Sequence, residues 1–231
     1  ADYAFGKQNT AVFSAAVPKL GGAILGSTPY PLGKPEFSAH LPKIQSAKPD
    51  AIYAITPGAA SVPFLKQAIS FGLKKDAKIV QPLHFLDYAK EGGAEAFQDV
   101  YGATHFVHEL AETMPQARRY VDAFVKRFGR PPDSYSGYGY NGVKEIARGV
   151  ELAKSIDSMA VANALRKNHE YDHYKGKQWW RACDNKSFQD LWILRVRSPQ
   201  QVKGEWGYFD VVGKVAANEV MDRSCAEKEH A

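Results

Sequence analysis

Three short loops follow apolar runs in the first half of the chain, and their composition suits ligand binding. The run at residues 51–55 leads into a loop of small residues, which would let a ligand approach backbone N–H groups closely. Two more such loops begin near residues 81 and 103. Ligands of open α/β sheets bind at the carboxyl ends of the strands, so these loops are candidate binding positions. The candidate residues in the first two loops are Thr56, Pro57, Gly58, Ala59, Leu83 and His84.

Aromatic side chains extend this candidate set. Tyr3 and Phe5 stand at the head of the first predicted helix, where they could form an aromatic wall, although core packing alone would explain either one. Tyr138 belongs to the string Gly137-Tyr138-Gly139-Tyr140-Asn141-Gly142, which lacks the preceding strand and the lysine of a phosphate-binding loop. A helix that began at Tyr138 would still offer open backbone N–H groups to an anion.

No catalytic motif accompanies these loops. The sequence lacks the patterns typical of serine hydrolases, zinc proteases, P-loop proteins and dinucleotide-binding proteins. His105 and His108 are three residues apart but belong to no larger ligand cluster, so we predict neither a metal nor another cofactor. Because no nucleophile, base and orienting group emerge together, an α/β enzyme is the least favoured class.

The two cysteines, Cys183 and Cys225, lie outside any C-x-x-C motif. Cys225 stands six residues from the end of the sequence, in a polar tail that would otherwise fray. A disulfide to Cys183 would anchor that tail and, in the loop-entropy model, stabilise the fold by roughly 4 kcal/mol. Such a bond requires an oxidising compartment, and two buried thiols are the alternative.

The composition excludes several classes of protein. Of the 231 residues, 45% are hydrophobic and 24% are charged, which is typical of a globular chain. There is no run of 18 apolar residues, so no membrane-spanning helix is predicted. The net charge of +5 is spread along the chain as single residues and pairs, whereas a nucleic-acid surface needs clustered charge. Neither nucleic acid nor a membrane is therefore predicted as a partner.

Apolar runs alternate with helical patterns from residue 5 to residue 103. Strands are predicted at 23–26, 51–55, 78–80 and 100–103, with helices between them, and this order favours a doubly wound α/β layer with a parallel sheet. Residues 105–115 are interpreted as a crossover. Helices are predicted at 115–128, 138–153 and 158–165 with no strand between them, so they need strands from elsewhere. Further strands are predicted at 176–182, 191–196 and 206–212, the last two as a hairpin.

Several short motifs occur along the chain in a fixed order. They are Asp2 to Gly6 ahead of a helix, Pro31-Leu32-Gly33 followed by Glu36-Phe37-Ser38, the segments 44–51 and 64–73, and Arg127 to Asp133 ahead of a Gly-Tyr helix. In this order they resemble the branched-chain amino acid type of ABC-transporter substrate-binding protein, which has a type I periplasmic-binding fold. The resemblance runs from Asp2 to about Cys225.

The resemblance implies two α/β lobes, with parallel sheets flanked by helices, that trap a ligand by hinge closure without bond chemistry. Residues 1–104 would form most of the second lobe, 105–190 a portion of the first lobe, and 191–231 a return to the second lobe with a tail. The N-terminal part of the first lobe would be absent from this chain. The family also implies a periplasmic protein, a removed signal peptide and an ABC permease of the inner membrane as partner.

The family's motif positions place Phe5, the loop from Thr56 and the loop with His84 against the ligand. Between Gln81 and Leu86 there is no Asp or Glu, so the α-ammonium of an amino acid would lack a counter-charge there. We therefore expect a small ligand without that group, such as an aromatic or aliphatic carboxylate or an amide, although an amino-acid-like ligand stays open. The alternative function is a ligand-sensing regulator or receptor domain on the same fold.

Overall fold

The computed structural model describes residues 1–33, 36–83, 85–167 and 171–217. Within these ranges, helices and strands alternate from residue 4 to residue 104, as expected for an α/β chain, and are followed by three helices and then five strands. The helices are α1 (Ala4–Lys19), α2 (Leu41–Ser46), α3 (Ser61–Ser70), α4 (Leu73–Asp76), α5 (Leu86–Gly92), α6 (Ala94–Phe97), α7 (Pro115–Phe128), α8 (Ser134–Ala153) and α9 (Ser158–Lys167). The strands are β1 (Ala51–Tyr53), β2 (Lys78–Gln81), β3 (Tyr101–Thr104), β4 (Tyr171–His173), β5 (Gly176–Trp180), β6 (Ser187–Gln189), β7 (Leu191–Val196) and β8 (Phe209–Val215).

The chain divides into two compact units. Unit 1 comprises Ala1–Ala103 and Leu194–Asp210, and unit 2 comprises Thr104–Ile193 with, among the described residues, 211–217. Strands β7 and β8 contribute residues to both units. The larger sheet has the strand order β1-β2-β3-β7-β8, and the smaller one has the order β4-β5-β6.

Unit 1 is built on the parallel strands β1, β2 and β3. Ile52 pairs with Ile79, and Val80 pairs with Tyr101. Crossover helices cover such strands, which explains their apolar sequences. Leu65 on α3 is fully buried, as expected for a residue on the sheet-facing side of that helix. The predicted α/β fold class with a parallel sheet is confirmed.

Unit 2 combines α7, α8 and α9 with the antiparallel sheet β4–β6. Helix α7 begins with Pro115 and ends at Gly129, whose φ of 70° suits a helix C-terminus. At the start of α8, the Asp133 carboxylate accepts a hydrogen bond from the Ser136 backbone N–H at 2.7 Å. No described helix is both long enough and apolar enough to cross a bilayer.

The structure differs from the sequence predictions in three details. Residues 23–26 form no strand, and Ile24 and Leu25 are exposed, because an apolar run becomes a strand only when a neighbouring strand pairs with it. The helix predicted from Tyr138 begins earlier, at Ser134. The short strands β4 and β6 were not predicted, because each has only three residues, most of them polar, and so few residues show no recognisable alternation of apolar and polar side chains.

Candidate functional site

Buried side chains join the carboxyl ends of β1 and β2 in unit 1. Gln81 Nε2 donates a hydrogen bond to Thr56 Oγ1 at 2.9 Å, and both residues are buried. The backbone N–H of Thr56 donates to the Ala54 carbonyl at 3.0 Å, which turns the chain sharply after β1. The hydrogen bond between Thr56 and Gln81 therefore holds together the starting points of the two candidate loops.

The loop after β1 consists mainly of small residues. Pro57 is extended and Gly58 has φ of +62°, a conformation that favours glycine. A Cβ atom on Gly58 would lie 3.4 Å from the hydroxyl of Tyr88, on α5. Ala59 follows on the exposed side. Tyr88 was not predicted from the sequence, because its place beside Gly58 depends on how α5 packs.

Tyr3 and Phe5 lie at the start of α1, half-buried, with ring centroids 6.1 Å apart. This segment is tied to the end of β1, because the Asp2 N–H donates to the Tyr30 carbonyl at 2.8 Å and the Tyr30 hydroxyl donates to the Ile55 carbonyl at 3.4 Å. Burial, with a smaller contribution from Tyr3, raises the pKa of Tyr30 to about 12, so this hydroxyl stays a donor at neutral pH. The structure thus brings both aromatic residues to the end of unit 1 that carries the Thr56 loop.

The loop after β2 contributes Leu83, which is 36% exposed. His84, the other candidate there, lies outside the described residues. Leu83 offers the loop an apolar surface, and the residues from Gln81 to Leu86 include no carboxylate. This part of unit 1 could therefore contact apolar ligand atoms but offers no counter-charge for an ammonium group.

In unit 2, Tyr138 lies beside the end of β3. Its hydroxyl is 3.4 Å from Thr104 Oγ1, which is in turn 2.9 Å from Ser134 Oγ. The ring centroid of His105 is 6.3 Å from that of Tyr138, and its Nδ1 is 3.1 Å from the Asp190 carbonyl. Burial lowers the pKa of His105, which favours the neutral ring at pH 7. These hydroxyls and the neutral ring could hydrogen-bond uncharged or anionic ligand atoms.

The prediction of an anion site at a helix start near Tyr138 is wrong. Because α8 begins at Ser134, the Gly137 N–H already donates to the Asp133 carbonyl at 3.1 Å. A Cβ on Gly137 would lie 2.7 Å from the Phe106 ring and 3.0 Å from the Tyr174 hydroxyl. Gly137 is therefore required by close packing.

Metal and disulfide chemistry add little to this site. His108 Nδ1 lies 3.3 Å from the Glu109 carboxylate, within unit 2. Across the described ranges, no three His, Cys, Asp or Glu side chains gather closely enough to hold a metal ion. Cys183 is exposed, and Cys225 lies outside the described residues, so their pairing stays a prediction.

Residues 1–201 match the family model described as "Periplasmic binding protein". The chain belongs to the periplasmic binding protein family. The resemblance found in the sequence motifs is thereby confirmed, and solved structures of ABC-transporter substrate-binding proteins share the fold. As a periplasmic binding protein, the chain falls in a family of ligand-binding proteins rather than enzymes.

Similar proteins include a "Leu/Ile/Val-binding protein homolog 7" from Brucella abortus (strain 2308), which is 31% identical over 60% of this chain and 36% of its own length. A branched-chain amino acid ABC-transporter ligand-binding protein from Burkholderia xenovorans LB400 is 25% identical with a TM-score of 0.82, over 94% of this chain and 57% of that one. A solute-binding protein from Rhodopseudomonas palustris BisB5, in complex with 3,4-dihydroxybenzoic acid, is 24% identical with a TM-score of 0.79, over 94% and 58%. The chain thus spans less than two thirds of these relatives.

Proposed function

We propose that the protein to which this chain belongs is the periplasmic substrate-binding component of an ABC importer. The family match over residues 1–201 is the observation that carries this proposal. The protein would deliver a small ligand to an ABC permease of the inner membrane. Cleavage of a signal peptide would precede its work in the periplasm, where a Cys183–Cys225 disulfide would be stable.

Ligand capture would follow the two-lobe mechanism. We assign residues 1–104 to most of the second lobe, 105–190 to a portion of the first lobe, and 191–231 to a return to the second lobe with its tail. Ligand would bind better to the closed arrangement of the lobes than to the open one, and this difference in affinity would drive closure. The ligand-facing residues would be Tyr3, Phe5, Thr56, Pro57, Gly58, Ala59, Leu83, His84 and Tyr138.

The ligand would be a small carboxylate, an aromatic acid or an amide without an α-ammonium group. The absence of Asp and Glu between Gln81 and Leu86 supports this, because a buried ammonium group without a counter-charge is costly. Tyr3 and Phe5 supply aromatic surface, and the hydroxyls near Tyr138 could bind polar ligand atoms. The Rhodopseudomonas palustris relative in complex with a dihydroxybenzoic acid is consistent with this class.

Isothermal titration of the natural gene product tests the ligand class. Benzoate, 3,4-dihydroxybenzoate, 4-methylpentanoate, leucine and valine would be compared at one pH. We expect one of the three acids to bind at least tenfold more tightly than either amino acid. Tight binding of leucine or valine, with none of the acids bound, would overturn the ligand class and leave the transport function standing.

A matched pair of variants tests the site. Phe5→Ala should weaken binding of the tightest acid by at least tenfold, because the substitution removes half-buried aromatic surface at the end of unit 1 that carries the Thr56 loop. Phe128→Ala, on the far end of α7 and 61% exposed, serves as the control and should leave affinity unchanged. Equal affinities for both variants would remove Phe5 from the site.

The proposed disulfide has its own test. Intact mass spectrometry before and after reduction should show a gain of two hydrogen atoms, roughly 2 Da, for a Cys183–Cys225 bond, because the reductant converts the disulfide into two thiols. Alkylation of both thiols without prior reduction would show that the bond is absent.

A further inference from the structure

One face of the small sheet β4–β6 carries a row of polar side chains against α8. The strand register places Tyr171 opposite Gln178, and Gln178 opposite Gln189. Because side chains two residues apart share a face, His173, Trp180 and Ser187 join the same row. Tyr171 and Trp180 both donate hydrogen bonds to the Glu145 carboxylate, which fixes this face against α8.

Most of the remaining polar atoms on this face lack a hydrogen-bond partner within the described part of the chain. They are His173 Nδ1 and Nε2, Gln178 Nε2 and Oε1, Ser187 Oγ, and Gln189 Oε1. His173 is 6% exposed and Gln178 is fully buried. A buried donor or acceptor without a partner destabilises the folded state, so native structures rarely collect several in one place. Their concentration on one face indicates an occupant that supplies the missing hydrogen bonds.

The charges around this face favour a negative occupant. Lys175 stands at the turn between β4 and β5 and is 2% exposed. Glu145 is its acidic neighbour, but the Glu145 oxygens already accept hydrogen bonds from Tyr171, Trp180 and Arg148. One carboxylate therefore serves two cations, Lys175 and Arg148, and a positive charge is left over.

The protonation states of Lys175 and His173 at pH 7 are consistent with one uncompensated positive charge at this face. Burial lowers the pKa of Lys175 to about 8, partly opposed by Glu145, so most of the ammonium stays charged at pH 7. Burial lowers the pKa of His173 to about 4, with Lys175, Lys144 and Arg148 adding to the effect and Glu145 opposing it. The imidazole is therefore neutral at pH 7 and can donate one N–H.

We propose that the β4–β6 face of unit 2 is a binding site for a small monovalent anion, a halide or a formate-sized carboxylate. Lys175 supplies the counter-charge, and the Gln178 amide, the Ser187 hydroxyl and one His173 N–H supply hydrogen-bond donors. The site does not depend on the proposed transport function, because it uses none of the residues assigned to the ligand.

Bromide titration at pH 7 tests the site in the full chain. Sodium bromide would replace sodium gluconate at constant ionic strength while the midpoint of thermal unfolding is followed. We expect the melting temperature to rise by several degrees and then to follow the logarithm of bromide concentration, as for a ligand that binds only the folded state. Lys175→Met should abolish this rise, whereas Lys186→Met, an exposed lysine on the β5–β6 turn, should retain it.

Anomalous scattering from bromide in crystals of the unmodified chain gives a second readout, which needs no variant to fold. A bromide peak beside Lys175 and Gln178 would support the site. Peaks elsewhere only, or ordinary water alone along this face at saturating bromide, would overturn it. An equal bromide response in Lys175→Met and Lys186→Met would overturn it as well.

Discussion

The two units of the chain differ in how completely their buried polar groups are hydrogen-bonded. In unit 1, Thr56 and Gln81 satisfy each other, and Lys74 Nζ donates to the Ala96 and Gln98 carbonyls at 2.9 and 2.7 Å. Among the described residues, Arg195 Nε is the buried unit 1 side-chain atom without a partner. The β4–β6 face of unit 2 collects several. Within the described residues, unit 1 therefore pairs nearly all of its buried polar side-chain atoms, whereas unit 2 leaves several unpaired on one face.

Both units expose apolar side chains, and in unit 2 three of them share one side of a helix. Tyr135, Val143 and Ile146 lie on one side of α8 and are 56%, 70% and 63% exposed. Their spacing is that of a helix face that normally packs against other structure. We define these three residues as the α8 stripe. Unit 2 thus offers an uncovered apolar face in addition to unpartnered polar atoms.

The largest effect is expected from the core of unit 1. Leu65→Ala on α3 should lower the free energy of unfolding by about 2–5 kcal/mol, because Leu65 is fully buried and the change leaves a cavity. Ile69→Ala on the same helix, where the side chain is 40% exposed, should cost less than about 1 kcal/mol. Urea unfolding measures both. Similar losses in the free energy of unfolding for the two variants would mean that Leu65 is not part of a closely packed core.

Glu145→Gln in unit 2 should lower the free energy of unfolding by about 3 kcal/mol. The glutamine amide has one acceptor oxygen where the carboxylate has two, and Arg148 would lose its buried counter-charge. At present the hydrogen bonds to Glu145 outweigh its burial and lower the pKa of its carboxyl. Glu151→Gln, exposed on the same helix, should change stability by less than about 0.5 kcal/mol. Equal thermal midpoints for the two variants would contradict the role assigned to Glu145.

The stability of unit 2 should fall as the pH drops from 6.5 towards 4. Burial lowers the pKa of His173 from 6.5 to about 4, so in this window the unfolded chain binds a proton that the folded chain does not. The slope contributed by this one group is at most about 1.4 kcal/mol per pH unit. His173→Phe should flatten the profile measured by urea midpoints at several pH values. An unchanged slope would assign the acid sensitivity to other groups.

The smallest effect is expected on the α8 stripe. Ile146→Lys should change the stability of this chain by no more than about 0.5 kcal/mol, since the side chain is 63% exposed and a lysine there stays in water. Light scattering should report the same mass for both proteins. A loss of more than about 1 kcal/mol in the free energy of unfolding would show that other structure covers the α8 stripe in solution. The exposed apolar face would then no longer distinguish unit 2.

Much of the fold follows from local sequence. Helix α7 occupies the predicted residues because Pro115 and Gly129 mark its ends and its apolar residues recur every four positions. Helices α5 and α6 meet at Gly92 and Gly93, and two adjacent glycines are a local signal for a break in a helix. Strands depend more on their neighbours, so residues 23–26 were predicted wrongly and β4 and β6 were missed.

The candidate site divides in the same way. The Thr56 loop could be predicted because a buried strand and small residues are adjacent in sequence. The hydrogen bond between Thr56 and Gln81, and the position of Tyr88 near Gly58, join residues 25 or more positions apart, and the sequence pattern does not encode such pairs. The unpartnered row on β4–β6 could not be predicted either, because two of its three strands, β4 and β6, were too short to be recognised.

The bond between Thr56 and Gln81 has an evolutionary consequence. Either residue replaced alone would leave a buried polar atom unpaired, whereas replacing both by apolar residues of similar size would cost little. We therefore expect the two positions to covary among related proteins, as a hydroxyl–amide pair or an aliphatic pair. A related protein in which Thr56 is replaced to suit another ligand should therefore also carry a replacement at Gln81.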